Sequence, residues 1–273
     1  MRRCQHETTE AGDTSMSTTD RSVKKPRGGF GEFVSTIIQA LVIALLVQMF
    51  VFPSFYIPSG SMKPTLDVGD FLFVDKFAYG YSRYSFSYGV FGLQNGIIPF
   101  NGRIIEKAPK RGDIVVFRQP NSNGIDFIKR VIGLPGDKIQ MQAGVLSING
   151  TPVPRVYDAE FNDTDDTGEQ VSGKEYTETL PNGVSYHVWK MTDAGGANNT
   201  PVYQVPPDRY FMMGDNRDNS EDSRFLEAVG YVPFQNLIGK ARLVYFSHTG
   251  IGPTWGILTG QSAVRWDRIF KPL

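Results

Sequence analysis

Two serines and a lysine stand close together in the stretch Pro58-Ser59-Gly60-Ser61-Met62-Lys63-Pro64-Thr65-Leu66, bracketed by prolines. A serine hydroxyl is a weak nucleophile until a general base within hydrogen-bond reach takes its proton. Histidine held by a carboxylate is the familiar base. His187 lies in a polar stretch, and His248 follows a late apolar run with no acid beside it. Neither has the surroundings of a triad member. The other solution is an uncharged lysine. An ordinary lysine has a pKa of about 10.4, so neutralising it at pH 7 costs about 4.6 kcal/mol. Burial lowers that pKa by as much as about 3–5 units. A lysine base therefore belongs in an apolar strand, not in a wet loop.

Three lysines compete for the role. Lys63 lies between Met62 and Pro64 in a turn that soon reaches Asp67, and is expected to be exposed. Lys76 stands next to Asp75, an ion partner that would keep it charged. Lys129 is different. On a strand, Phe127, Lys129 and Val131 point one way, and Ile128, Arg130 and Ile132 the other. A lysine snorkelling from a surface strand would give the same pattern, so the alternation alone leaves the choice open. A serine–lysine pair of the S-x-x-K kind is excluded, because Pro64 and Met62 occupy the +3 positions.

The residues around this stretch say where it must sit. Phe33 to Phe52 reads FVSTIIQALVIALLVQMFVF, and no charge occurs between Glu32 and Lys63. A helix of that length spans roughly 30 Å, the thickness of a bilayer core. The run exceeds the apolar stretch of roughly 7–15 residues in a cleaved signal peptide, and its exit is bulky throughout. An uncleaved transmembrane anchor over 30–52 is expected. Arg21, Lys24, Lys25 and Arg27 precede it, which places the N-terminus in the cytoplasm and all that follows outside. The tail 1–29 is polar and expected to be disordered. Cys4 is the only cysteine, which excludes an internal disulfide and a cysteine-based zinc site. Zero net charge and 21% charged residues give no reason to expect nucleic acid. Neither a metal nor a cofactor is expected.

From Pro53 onward the pattern is short strands with turn chemistry between them. Asp70–Phe77, Asp113–Arg118, Asp126–Leu134 and Lys240–Ser247 read as strands, and Val145–Ile148 followed by Asn149-Gly150 reads as a hairpin. The expected fold is mainly β. A single N-terminal transmembrane helix is followed by an exported catalytic domain, 53–273, of several antiparallel sheets. Its core covers about 53–140 and 206–250, and a β-rich insertion covers about 141–205. Two stretches are excursions. Tyr79–Lys107 is loaded with aromatics, which fit either a membrane interface or the domain's own core. The insertion is polar and carries Asp158, Glu160, Asp163, Asp165, Asp166 and Glu169. This run lacks calcium-loop spacing and is expected to be a solvated loop.

Four blocks in order now resemble the bacterial type I signal peptidases, or leader peptidases: PSGSMKPTL at 58–66, RGDIVVF at 111–117, FIKRVIGLPGD at 127–137 and GDNRDNSEDSR at 214–224. The resemblance runs from the anchor to about Ser247 and leaves out the tail and most of the insertion. It implies a membrane-anchored serine endopeptidase that removes signal peptides after a small-x-small site, with Ser61 as nucleophile and Lys129 as general base. It further implies an oxyanion hole from the Ser61 N–H and the Ser59 hydroxyl, with Ser220 orienting the lysine and Asp222 and Arg224 as a structural ion pair. By position, Phe117, Phe127 and Met212 would desolvate the lysine. Glu221 stands where some members have a small residue, and is expected to face solvent. Phe55, Ile57, Met62, Leu66 and Ile128 are the expected pocket lining. The implied partners are preprotein signal peptides, the lipid bilayer and the secretion translocon, at the inner membrane with the catalytic domain periplasmic. The rivals are a specialised maturation peptidase of a conjugation or secretion system, and a catalytically inactive binding protein on the same fold.

Overall fold

The computed structural model describes residues 29–50, 53–86, 102–122, 124–249, 260 and 263–273, with the side chains of 45–50 left out. The chain divides into two units, Met1–Val42 and Ile43–Leu273. A helix covers Phe30–Phe50. Its described side chains, through Ala44, are exposed. Among the described residues no helix is long and apolar enough to cross a membrane. The anchor expected over 30–52 runs onto residues outside that set, as does the tail expected over 1–29.

From Ser54 onward the described strands pair antiparallel, and the helical pieces among the described residues there are single 3₁₀ turns. An eight-stranded sheet holds Ser54–Tyr56, Asp70–Asp75, Leu237–Ser247, Ile114–Arg118, Asp126–Gly133, Arg209–Met213 and Val232–Pro233 in that order, with Lys271–Pro272 on the flank of Leu237–Ser247. Each expected strand is present. The expected hairpin is present too, joining Val145–Ile148 to Thr151–Pro152. Asn149 and Gly150 turn it with φ of 54° and 80°, the left-handed region that a tight hairpin turn requires.

The strand Asp126–Gly133 lies between Ile114–Arg118 and Arg209–Met213, and its two faces feed separate cores. Phe127 and Val131 pack with Val115, Phe117, Met212 and Leu237. Ile128 packs with Ile57, Met62, Leu66 and Val116. Ile132 joins a third cluster with Ile139, Leu146, Tyr186 and Phe211. Alternation along one strand thus ties three apolar clusters together.

The polar insertion is more ordered than its composition implies. Arg155–Thr164 and Gln170–Thr179 form a long hairpin, and Ser185–Lys190 extends it to a three-stranded sheet. Asp158, Glu160 and Asp163 therefore lie on a strand, and of the acidic run only Asp165, Asp166 and Glu169 belong to the turn. The strand Arg155–Thr164 is exposed on both faces for most of its length, so it lacks the alternation that announces a half-buried strand. In the aromatic excursion, Tyr79 is buried and its hydroxyl donates to Asp113 Oδ2 at 2.9 Å. Tyr88, Phe91 and Phe100 lie outside the described residues.

Candidate active site

The serine stretch forms a short, well-anchored loop. Ser59 is extended, with φ −134° and ψ 152°, and Gly60–Met62 make one 3₁₀ turn closed by the Lys63 N–H on Gly60 O at 3.1 Å. Met62 and Leu66 are fully buried and pack beneath the loop. They anchor it and do not line the cleft, which departs from the expected pocket. Phe55, Ile57 and Ile128 do line the cleft, a cavity of about 400 Å³ that also holds Ser59, Ser61 and Lys129.

Lys129 meets Ser61 there, with Nζ 2.6 Å from Ser61 Oγ. Lys129 is only 4% exposed, and its Nζ lies 5.2 Å from the centre of the Phe127 ring. Burial pushes its pKa down to about 8, against Asp222, Asp215 and Glu221, which pull it up. The cause is desolvation, because an ammonium loses its hydration when carried into an apolar wall.

The other lysines are placed differently from expectation. Lys63 is not exposed: its side chain pairs with Asp163 and donates to Thr164 O at 3.3 Å. Lys76 does not pair with Asp75. It is buried, donates to Ser85 O, and its pKa is lowered by burial to about 8, with Asp126 opposing. Asp75 instead takes Arg242 at 2.9 Å and the Ala78 N–H at 3.1 Å. Burial lowers the pKa of both lysines, and the contact of Lys129 with Ser61 Oγ singles it out. His187 pairs with Asp158 and Glu175 on the insertion sheet. His248 is buried beside Phe71 and Phe246, its Nδ1 3.0 Å from Thr249 O.

The segment 214–224 closes the back of the site. The Asn216 N–H donates to Ser61 O at 3.2 Å, and its side-chain amide donates to Gly60 O at 3.1 Å. Ser220 donates to Asp222 Oδ2 at 2.8 Å, so in this structure it is bound to the ion pair. Arg224 grips Asp222 with Nε and Nη2, both at 2.8 Å. Burial works against the charge of Asp222, but Arg224, the Gly214 N–H and Ser220 hold its pKa below the ordinary carboxylate value. Glu221 is exposed, as expected, yet it stands on the rim of the cleft. On the strand face opposite Lys129, Arg130 holds Asp215 at 2.8 and 2.6 Å, and Thr65 donates to the same carboxylate at 2.5 Å.

Nothing but a hydrogen fits at Gly214, between Ser220 and the Ser59–Ser61 loop. A Cβ at Gly214 would come 2.2 Å from Ser220 Oγ and 2.5 Å from Ser61 O. Gly214→Ala is therefore expected to push the two walls of the site apart, lowering stability by about 1–3 kcal/mol, as overpacking does, and cutting turnover as well. A urea midpoint and a cleavage rate measured on the same preparation check both effects.

The family described as signal peptidase, peptidase S26, matches residues 30–246. The chain belongs to that family. Among individual relatives, signal peptidase I of Rickettsia rickettsii (strain Sheila Smith) is 41% identical over 280 residues, covering 96% of this chain and 97% of that one. Signal peptidase I of Rickettsia conorii (strain ATCC VR-613 / Malish 7) is 41% identical with the same coverage. A crystal structure of a signal peptidase I from Enterococcus faecalis V583 is 26% identical and covers 49% of this chain and 97% of that one, at a TM-score of 0.30.

Two residues that meet the Ser59–Ser61 loop are not legible from the sequence as belonging there. Asn216 stands within the GDNRDNSEDSR block, but nothing in its spacing says that it bonds to Gly60 O and Ser61 O. Asp166 comes from the insertion and lines the cleft. Among the described residues, Asp158, Glu175 and His187 bring three ligand atoms within 4.8 Å of one another. They lie on the insertion strands and hydrogen-bond among themselves.

Proposed function

We propose that Ser61 and Lys129 are the nucleophile and general base of a membrane-anchored serine endopeptidase that removes N-terminal signal peptides from exported preproteins after a small-x-small site. The observation that carries the roles is the 2.6 Å contact between Lys129 Nζ and Ser61 Oγ, two buried side chains in a cleft that Phe55, Ile57, Phe127 and Ile128 also line.

The uncharged amine takes the Ser61 proton as Oγ attacks the scissile carbonyl. An oxyanion bonded to the attacked carbon is then within reach of the Ser59 hydroxyl, which lies 3.5 Å from Ser61 Oγ, and of the Ser61 N–H. Fixed donors of this kind are typically worth about 3–4 kcal/mol each. Collapse of the intermediate expels the mature chain as an amine, which takes the proton from Lys129. A water then attacks the ester, again deprotonated by Lys129, and Ser61 leaves with its proton restored.

The substrate fits by shape. Phe55 to Pro58 on one side and Ile125 to Lys129 on the other bound the cleft. An extended segment laid between them can bond to exposed backbone, with specificity left to the pockets. Phe55, Ile57, Val116 and Ile128 give the cleft an apolar lining, which suits the small side chains of such a site. The charge asymmetry about residues 30–52 supports an anchor with a cytoplasmic tail at 1–29 and the catalytic domain at 53–273 outside, in the periplasm if the cell has one. The bilayer and the secretion translocon are then the natural neighbours.

The test uses the full chain in detergent and a preprotein with alanine at −1 and −3. Cleavage at that bond is expected, with none when phenylalanine replaces the −1 alanine and none by Ser61→Ala. The kcat/KM should climb about tenfold per pH unit and level off near the Lys129 pKa of about 8, because only the deprotonated amine can accept the proton. Cleavage by Ser61→Ala would refute the assignment.

A further inference from the structure

We propose that Asp166, at the tip of the insertion hairpin, is a positioning residue for the oxyanion hole at Ser61. The inference rests on the dyad reading above. Both expected oxyanion donors lie on Ser59-Gly60-Ser61, so their aim depends on the two peptide planes that flank Gly60. In a planar trans peptide the N–H points opposite to the C=O. Holding Gly60 O therefore sets the direction of the Ser61 N–H. That carbonyl is held at 3.1 Å by the Lys63 N–H and at 3.1 Å by the Asn216 amide.

The preceding plane is held from the other side. Its Gly60 N–H donates to both oxygens of Asp166, at 2.9 and 3.0 Å. The carboxylate packs so close that a Cβ on Gly60 would come 3.2 Å from Oδ1. Glycine has the widest backbone freedom of any residue, so a loop with Gly60 between its two donors needs a hold on each plane. Asp166 supplies the hold on the Ser59 side.

The hairpin is fastened to keep the carboxylate there. Asp163 pairs with Lys63, and Thr164 O accepts from the same ammonium. Phe161 stacks on Trp189 at 3.9 Å, and Lys63 lies 5.9 Å from that Trp189 ring. Asp166 itself is exposed, so it adds little to the stability of the domain. The charges that act most on Lys129 are those of Asp222, Asp215, Glu221 and Arg224, whereas Asp166 meets the site at the Gly60 N–H. Its influence runs through the backbone of the loop.

The experiment measures kcat and KM of the full chain in detergent on the alanine-site preprotein, for the parent, Asp166→Ala and Asp166→Asn, with Ser61→Ala and Lys129→Ala alongside. Asp166→Ala is expected to lower kcat by about tenfold, because a sub-ångström misaim of a donor is enough for that, with KM and the pH midpoint unmoved. Asp166→Asn keeps an oxygen that accepts from the Gly60 N–H, so most of kcat should return. Parental kcat in Asp166→Ala, a loss confined to KM, or equal losses in the two variants would overturn the proposal. Cleavage by Ser61→Ala or Lys129→Ala would instead overturn the dyad, whatever the Asp166 variants do.

Discussion

Lys129→Met is expected to yield a protein that cleaves nothing and folds more stably at neutral pH than its parent. The loss follows from the proposed chemistry: without a base, Ser61 is an ordinary alcohol. Residues that act as a unit with a nucleophile cost about 10⁴-fold or more when removed. The gain follows from burial. The Lys129 pKa is lowered from the ordinary 10.5 to about 8, so the unfolded chain holds the proton more tightly than the folded one. Stability therefore rises with pH between about 8 and 10.5, and below about 8 the folded state carries the whole burden of a charge in an apolar wall. By linkage that burden is about 3 kcal/mol. Methionine keeps the unbranched apolar stem and removes the charge. Urea unfolding at pH 7 and near pH 10.5 separates the terms: the gain should be present at the first and gone at the second. A variant no more stable than the parent at pH 7 would show that Lys129 is not desolvated.

Glu178→Ala should have the second largest effect, and in the opposite direction for stability. Arg217 and Glu178 are each 2% exposed and face one another with two hydrogen bonds, at 2.8 and 2.5 Å. Tyr186 closes the group, its hydroxyl donating to Glu178 Oε2 and accepting from Arg217 Nη2, both at 2.9 Å. Burial works against the Arg217 charge, but Glu178 and Tyr186 more than offset it and its pKa is raised. Deleting the carboxylate leaves a guanidinium that cannot shed its proton in a dry site. Breaking such a pair costs about 3–5 kcal/mol. For a unit of this size each kcal/mol is worth about 2–4 °C, so a fall of roughly 6–20 °C in Tm is expected. Activity should fall with it, because the Arg217 N–H donates to Trp189 O and the Trp189 N–H to Asp215 O, both at 2.9 Å. These bonds stitch segment 214–224 to the insertion sheet. Replacing both partners, as Glu178→Leu with Arg217→Met, should recover most of the stability. If the double variant melts as low as the single one, the pair matters through something other than its unpaired charge.

Period-two alternation made the lysine strand legible, since it put Lys129 on the face of Phe127 and Val131, and both belong to the core that surrounds it. The same rule, applied to Asp75 and Lys76, argues against pairing them. Neighbours at the end of a strand point to opposite faces, and Asp75 turns to Arg242 while Lys76 is buried. Met62 and Leu66 are apolar and near the serine, but an apolar residue beside a loop serves equally well as its anchor, and both are fully buried. Asp166 and Gly60 are 106 residues apart. Their contact depends on a long hairpin returning to the site, and pattern within a short window carries no information about that. The acidic run hid its strand because both faces are wet, which leaves no alternation to read.

The strand that carries Lys129 is packed into three apolar clusters at once. Its amine is therefore a sensor of how dry the middle of the domain is. Loosening any of the three clusters lets water reach the amine, the proton returns, and the site falls silent while every strand is still paired. Inactivation on warming or in mild denaturant should precede the loss of secondary structure, and the temperature range over which the chain works should be narrower than the range over which it stays folded.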